Sequence, residues 1–328
     1  MYTPPFTVSS KAINLIAEIS AQIERYSIRM EQIDSLRLRK VNRVKTVHSS
    51  LAIEGNSLSE GDVTAILEGK TVIAPQRQIL EVKNALKTYE LYSTLDPFSI
   101  KDLLKAHYTM MCGLIDEAGI FRKRGVGVFD GTNIIHVAPP AERVKGLMED
   151  LFEWLGTSSD HLLVRSCVFH YEFEFIHPFS DGNGRTGRLW QSLILGKLNP
   201  IFEHLPIENM VYLHQQDYYS AISQSSSEGD CQPFIDFMLQ EILDTLVEHQ
   251  GISVEEIGYK YDLNKGEIQA LGHIRADKRI TAVKLAEKLG LKPRQAERIL
   301  SGLKNKGIIK RTGSNRNGFW EVLADQKL

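Results

Sequence analysis

Residues 177–188 read His177-Pro178-Phe179-Ser180-Asp181-Gly182-Asn183-Gly184-Arg185-Thr186-Gly187-Arg188, and this stretch decides what kind of fold surrounds it. Its glycines spell G-x-G-x-x-G, the pattern of a dinucleotide-binding turn, which requires a preceding strand inside a βαβ unit. The segments on either side, Asp160–Phe175 and Thr186–Leu198, both read as helices, so the dinucleotide fold is excluded. Pro178 disfavours helical geometry at His177, which ends the first helix there and leaves the imidazole on a loop. Gly182 and Gly184 let backbone N–H groups converge with no Cβ in the way, forming an anion nest that opens onto a helix N-terminus. Arg185 and Arg188 share one face of the first turn and point to the same polyphosphate. Asp181 offers a hard oxygen suited to Mg²⁺ shared with phosphates. Phe179 reads as a packing anchor for the loop. His161, His170 and His177 show no metal-ligand spacing, which argues against zinc.

Working outward, the chain is mostly helical. Ser9 and Ser10 are N-cap candidates for a helix carrying Ile16, Ile19 and Ile23. A second helix is predicted from about Met30 to Glu54, with Gly55 as its stop. Val63–Gly69 and Arg77–Leu95 follow, and after the Asp96-Pro97 break another helix starts at Ser99. Gly125–Val137 differs, because β-branched residues flank Asp130-Gly131 and predict a hairpin, closed by Pro139-Pro140. Ala141–Trp154 reads as helix, and the helical pattern continues to about His249, with the polar run Ser225–Asp230 predicted to break it. Past Gly251, helices at Lys265–Ala276, Ala282–Leu289 and Pro293–Lys306 precede strands at Ile308–Arg311 and Phe319–Leu323. That is the order of a winged helix-turn-helix. The expected organisation is a helical region at 1–97, a helical core at 98–250 and a winged helix-turn-helix domain at 251–328. The fold class is all-α with a small β-hairpin.

The 177–188 loop resembles the signature of the Fic (filamentation induced by cAMP) family, HPFx(D/E)GNGRxxR, at all nine fixed positions. The resemblance extends from the N-terminal helices to about residue 245. It implies a Fic-type helical core and transfer of a nucleotide monophosphate, usually AMP from ATP, to a Ser, Thr or Tyr hydroxyl of a protein. On this resemblance His177 is the general base, and an unperturbed imidazole, titrating at about 6.5, suits that task. Asp181 holds Mg²⁺ between the α- and β-phosphates. Gly182, Asn183 and Gly184 cradle the phosphates, Arg185 and Arg188 neutralise the β/γ end, and Thr186 and Gly187 complete the nucleotide-binding run. Such chemistry is positioning plus electrostatic stabilisation.

Ser50-Leu51-Ala52-Ile53-Glu54-Gly55-Asn56 is similar to the inhibitory pattern (S/T)xxxE(G/N)N found in Fic proteins. Ser50 and Glu54 share a helix face, and Glu54 lies at a helix C-terminus, where the dipole disfavours a carboxylate. The resemblance names Arg188 as its cation, so that Glu54 competes with the γ-phosphate and autoinhibits transfer. The Gly125–Val137 hairpin matches the family's flap in position, and its edge offers main-chain hydrogen bonds to a target segment. Tyr218 and Tyr219 resemble the adenine-side segment. An Asn often found after them is replaced here by the Ser225–Ser227 run, so ATP is the expected donor with UTP and GTP left open.

Composition bounds the remaining choices. The 328 residues are 42% apolar and 24% charged, which excludes wholesale disorder and collagen-like repeats. Cys112, Cys167 and Cys231 form no ligand spacing and read as reduced thiols, not a disulfide scaffold. No apolar run reaches the roughly 18–20 residues of a membrane span, and the N-terminus shows no secretory pattern, so a cytoplasmic protein is expected. The formal net charge of −2 is a cancellation: residues 273–318 hold 13 Lys/Arg against 3 Asp/Glu, and the rest holds 26 against 38. In the basic tail, Pro293–Lys306 is the candidate recognition helix, with Arg294, Arg298, Lys304 and Lys306 for phosphates or bases. Asn315, Arg316 and Asn317 sit at the wing tip. The tail has two readings, duplex DNA through 273–318 or a protein partner, a second copy of the chain included. The whole chain then reads as an autoinhibited protein adenylyltransferase. The alternatives are a nucleotide-sensing DNA-binding regulator and a de-AMPylating hydrolase in which Glu54 orients a water. An intact His177 favours the enzyme, since a sensor needs no base there.

Overall fold

A computed structural model describes residues 2–30, 35–130, 133–248, 258, 261–312 and 318–323. The chain divides into two compact units, Met1–Val247 and Glu248–Leu328.

The first unit is built around two helices. α7 (Leu162–Ile176) buries residues on all sides, among them Cys167, Phe169, His170 and Phe173, as a helix at the centre of a bundle must. α8 (Asn183–Leu198) packs against it through Leu189, Trp190, Leu193 and Ile194. α6 (Ala141–Thr157) covers α7, and α5 (Ile100–Met111) lies on both α6 and α8. Towards the N-terminus, α1 (Ser10–Met30) is followed by α2 (Ser35–Ile53), α3 (Glu60–Leu67) and α4 (Gln76–Glu90). Ser59 starts α3 through a reciprocal capping box with Asp62, and Ser99 caps α5 through the N–H of Asp102. α2 also packs on α9 (Ile207–Leu213), and α10 (Gln215–Glu228) and α11 (Gln232–Glu248) complete the unit. One apolar core runs from Ala12 to Leu246, so residues on both sides of Pro97 share it.

One local expectation needs correction. The predicted helix Arg77–Leu95 gives way to a 3-10 turn at Tyr92–Thr94, where the Tyr92 hydroxyl donates to the Ser192 carbonyl at 2.6 Å. The helical pattern breaks inside the Ser225–Asp230 run as expected, at its Gly229-Asp230 end. α10 continues to Glu228 and stops at Gly229, which has φ +66°. The serines are satisfied within the helical region: Ser225 Oγ accepts from Phe234 N at 3.1 Å, and Ser227 Oγ donates to the Gln224 carbonyl at 2.8 Å.

The hairpin forms where it was expected. β1 (Gly127–Asp130) pairs antiparallel with β2 (Asn133–Val137), with an irregularity between Val128 and Phe129. Its tip, Gly131 and Thr132, lies outside the described residues.

In the second unit, α12 (Lys265–Ala276), α13 (Ala282–Leu289) and α14 (Pro293–Asn305) precede an antiparallel pair, β3 (Ile309–Thr312) and β4 (Phe319–Val322). Asn264 and Thr281 cap the first two helices, and Gly290 at φ +64° turns α13 into α14. The unit has its own core of Leu271, Ile274, Leu285, Leu303 and Ile308, and Trp320 Nε1 donates to the Ile280 carbonyl at 3.1 Å. The wing-tip residues Asn315, Arg316 and Asn317 lie outside the described residues. No helix among the described residues is long and apolar enough to cross a membrane.

Candidate active site

α7 ends at Ile176, and its last backbone bond runs from His177 N to the Phe173 carbonyl at 2.9 Å. His177 itself adopts φ 51°, ψ 61°, a left-handed conformation rare for a residue with a side chain. Burying this strained turn requires partners for its carbonyls, and Arg122 supplies them. The Arg122 Nε donates to the His177 carbonyl at 2.7 Å and its Nη2 to the Ile176 carbonyl at 3.2 Å, while its own N–H reaches the Pro178 carbonyl at 2.9 Å. The ring of His177 turns Nδ1 toward its own helix, 3.4 Å from the Glu174 carbonyl and 3.9 Å from Glu174 Oε2.

The loop after His177 is locked from beneath. Phe179 is fully buried and stacks on His107 of α5, with ring centroids 3.6 Å apart and 4° between planes. Asn183 accepts from Phe179 N and donates to the Phe179 carbonyl, both at 2.9 Å, so its side chain fastens the loop to itself. His107 Nδ1 accepts from Gly119 N at 2.9 Å, which leaves Nε2 to donate to the Asp181 carbonyl at 2.9 Å. Burial pushes the His107 imidazole down to about 4, so this neutral tautomer persists through the neutral range.

Gly182 takes φ +84° as the N-cap of α8, and a Cβ there would strike Met111. Asp181 stays about 40% exposed beside two cations: Arg185 Nη2 lies 2.8 Å from Oδ1, and Arg77 Nη2 lies 3.5 Å from Oδ2. Arg185 Nε and Thr186 Oγ1 are buried donors without a hydrogen-bond partner among the described residues. Buried donors at a helix N-terminus are what an oxyanion would satisfy.

Arg188, one turn further along, is buried and already occupied. Its Nη2 donates to Glu54 Oε1 and to the Ser50 carbonyl, both at 2.8 Å, and its Nε to Ser50 Oγ at 3.2 Å. Burial acts to raise the Glu54 carboxyl, but the charge and hydrogen bond of Arg188, helped by Arg185, hold it below the usual range. Glu54 lies directly against Gly184, leaving no room for a Cβ on that glycine. Gly187 is equally required, since a Cβ there would sit 2.8 Å from Glu174 Oε1. Asn56, the last residue of the same turn, donates to Glu81 at 2.8 Å and to the Gln78 carbonyl at 3.2 Å. Glu81 in turn meets Arg77, the cation beside Asp181, at 3.4 Å.

The two tyrosines part company. Tyr218 is buried, its hydroxyl 2.8 Å from His170 Nε2 and its ring edge-on to Phe234, so it faces the core. Tyr219 is half-buried, next to it at 5.3 Å between ring centroids. No group of three or more metal-ligating side chains occurs among the described residues.

With this geometry in hand, the comparisons are direct. Residues 97–195 match the Fic/DOC family. A Fic family protein of Desulfovibrio desulfuricans G20 is 40% identical, with a TM-score of 0.74 over 98% of this chain and 98% of that one. The chain belongs to the Fic family. Fic-1 (residues 134–508) of Caenorhabditis elegans, 22% identical with a TM-score of 0.58 over 77% of this chain and 74% of that one, shares the fold. Among curated relatives, the protein adenylyltransferase Fic of Culex quinquefasciatus is 32% identical over 214 residues, 62% of this chain. The chain spans about two fifths of the length of that relative, 40%.

In this Fic protein, elements far apart in sequence meet at one helix N-terminus: the turn ending α2, the loop after α7 and the first turn of α8. Two residues at the site escape a reading of the sequence. His107 lies on the apolar face of an ordinary helix, where a histidine reads as core. Arg122 opens the basic triplet Arg122-Lys123-Arg124, which reads as solvated surface although its side chain is buried.

Proposed function

We propose that this chain transfers AMP from ATP to a Ser, Thr or Tyr hydroxyl of a protein, and that Glu54 holds the reaction off. The observation that carries the reading is His177 beside a phosphate-type helix N-terminus whose Arg188 is held by Glu54 at 2.8 Å. The backbone N–H groups opening α8, with Arg185 Nε and Thr186 Oγ1, take the phosphates. Arg188 takes the distal phosphate once Glu54 leaves. His177 accepts the proton of the attacking hydroxyl at Nε2, since Nδ1 faces the carbonyl of Glu174. Asp181 fits a Mg²⁺ ion, because one exposed carboxylate plus substrate phosphates is that ion's usual ligand set. Bound there, the ion would neutralise phosphate charge. The hairpin edge receives the target segment as an added strand, and the half-buried Tyr219 is better placed than the buried Tyr218 to meet the base.

The test is label incorporation into protein from ATP carrying α-³²P. Glu54→Gly incorporates more label than wild type, and His177→Ala none. Equal incorporation by wild type and Glu54→Gly removes the brake. Failure of every form to exceed His177→Ala removes the transferase, and release of AMP from AMP-modified protein by wild type turns the reading to the hydrolase.

The second unit has a separate reading as a winged helix-turn-helix that binds duplex DNA. Its support is the short Gly290 turn leading into α14, with Arg294 and Arg298 exposed on that helix and Lys292 exposed at its N-cap. Binding that weakens steeply with salt is expected, and no binding to duplex at low salt removes it.

A further inference from the structure

Arg122 is a buried cation that no carboxylate neutralises among the described residues. Among the described residues, the hydrogen bonds of its guanidinium end on main-chain carbonyls, in three places. Nε and Nη2 bind the carbonyls of His177 and Ile176 at the end of α7, at 2.7 and 3.2 Å. Nη1 binds the Arg124 carbonyl at 2.9 Å, just ahead of β1. Nη2 also binds the Pro139 carbonyl at 2.6 Å, just past β2. One planar side chain thus ties both legs of the hairpin to the residue that carries the base.

Two consequences follow from elementary electrostatics. The carbonyl end of a helix carries partial negative charge and stabilises a cation beside it, so a histidine closing α7 is pushed toward imidazolium. A fixed guanidinium on those same carbonyls opposes that push and keeps the ring neutral, which is the form able to accept a proton. Glu54 on the inhibitory turn is charged and favours imidazolium. The buried Glu174 carboxyl beside Nδ1 is raised to about 8 and stays protonated at neutral pH, so the opposing cation acts against the helix end and Glu54. The second consequence is geometric. A target strand lying on the hairpin inherits its distance to the base from this one clamp, because both legs and the His177 carbonyl share it.

We propose that Arg122 is a positioning residue of this Fic site, which holds His177 in its left-handed backbone conformation, keeps its imidazole neutral and fixes the target-binding hairpin relative to it. The inference rests on the transferase reading for its meaning, but its test does not. In full-length protein with ¹⁵N-labelled histidine, the titration midpoint of the His177 ring is followed by NMR in wild type, Arg122→Gln and Arg122→Lys. For charges several ångströms apart at an interior edge, the midpoint rises by about 0.5–1 in Arg122→Gln. It stays near wild type in Arg122→Lys, which keeps the charge. In the Glu54→Gly background, Arg122→Lys loses about tenfold in kcat, since an ammonium cannot bridge three sets of carbonyls. Its KM for ATP is unchanged, because Arg122 touches none of the phosphate-binding residues.

An unmoved midpoint in Arg122→Gln overturns the electrostatic role, and full kcat in Arg122→Lys overturns the clamp. If neither variant folds, Arg122 is a folding residue and the proposal fails. If no form transfers label while the midpoint still moves, it is the transferase reading that fails, and the role of Arg122 at His177 stands.

Discussion

Asn183 illustrates how a residue's place in a motif and its physical task separate. The family resemblance puts it among the phosphate-cradling residues, yet both ends of its amide are spent on Phe179, one accepting and one donating. Its contribution to an anion is therefore indirect: it holds the loop in which Gly182 reaches φ +84° and the N–H groups of α8 converge. Asn183→Ala strands a buried N–H and a buried carbonyl, at a cost of about 1–3 kcal/mol each. The expected outcome is a melting temperature lower by several degrees and ATP binding weakened at least about tenfold, measured by calorimetry. Asn183→Asp separates the two tasks. A carboxylate still accepts from Phe179 N, but it faces the carbonyl with a repelling charge and sits in the anion nest, so binding falls further than stability does. Equal losses in both would mean that the side chain acts on the fold alone. Similar reasoning explains why His107 is invisible in sequence: its bonds to Gly119 and Asp181 cross from α5 to two loops, and no local spacing records them.

At the scale of elements, the site is an encounter between the end of one helix and the beginning of another. The end of α2 was legible because Gly55 and Asn56 follow Glu54, and the start of α8 because Gly182 precedes its arginines. Helices in the second unit were equally legible, since caps at Asn264 and Thr281 and the Gly290 turn are written in adjacent residues. The break expected in Ser225–Asp230 falls at its last two residues, Gly229 and Asp230, and not at the serines. Serines there are bound by partners nine residues on and within their own turn, so polarity did not mean solvent. The same element view makes the proposed brake graded. Arg188 is held at three points, two of them on Ser50. Ser50→Ala removes only the 3.2 Å bond from Arg188 Nε and keeps the Ser50 carbonyl and the Glu54 pair. At 3.2 Å and with an uncharged hydroxyl as acceptor, that bond is worth about 1 kcal/mol, against about 1.5–3 for the guanidinium–carboxylate bond. Label transfer should therefore rise about threefold to fivefold in Ser50→Ala and about tenfold or more in Glu54→Gly. Full activation by Ser50→Ala would place the brake on the helix end itself and not on Glu54.

For the whole first unit, burial of titratable groups sets the pH range in which the fold is most stable. Burial raises the carboxyls of Glu172 and Glu208 to about 7 and that of Glu174 to about 8. The unfolded chain releases these protons near the ordinary carboxyl value of about 4.3, so folding takes protons up above that pH, and stability falls as pH rises through 7 and 8. Burial lowers His107 to about 4 and His170 to about 3. The unfolded chain takes up protons at those residues below about 6.5 that the fold refuses, so stability is also lost as pH falls toward 4 and 3. Glu54, held low by Arg188, loses its pairing on the same acid side. The two slopes oppose each other between about 4.3 and 6.5, and above 6.5 the raised carboxyls dominate, joined by His214, which its bond to Glu241 raises. From pH 6.5 to 8.5 the loss amounts to about 3–4 kcal/mol, or a fall of about 6–16 °C in Tm for a unit of this size. Glu174 contributes most, because it is raised furthest and its Oε1 has no hydrogen-bond partner among the described residues. Glu174→Gln should therefore flatten that alkaline slope by about half, as measured by melting curves at matched ionic strength. A wild-type Tm that is constant over this range would mean that water reaches these carboxyls and that the interior around α7 is wetter than its packing implies.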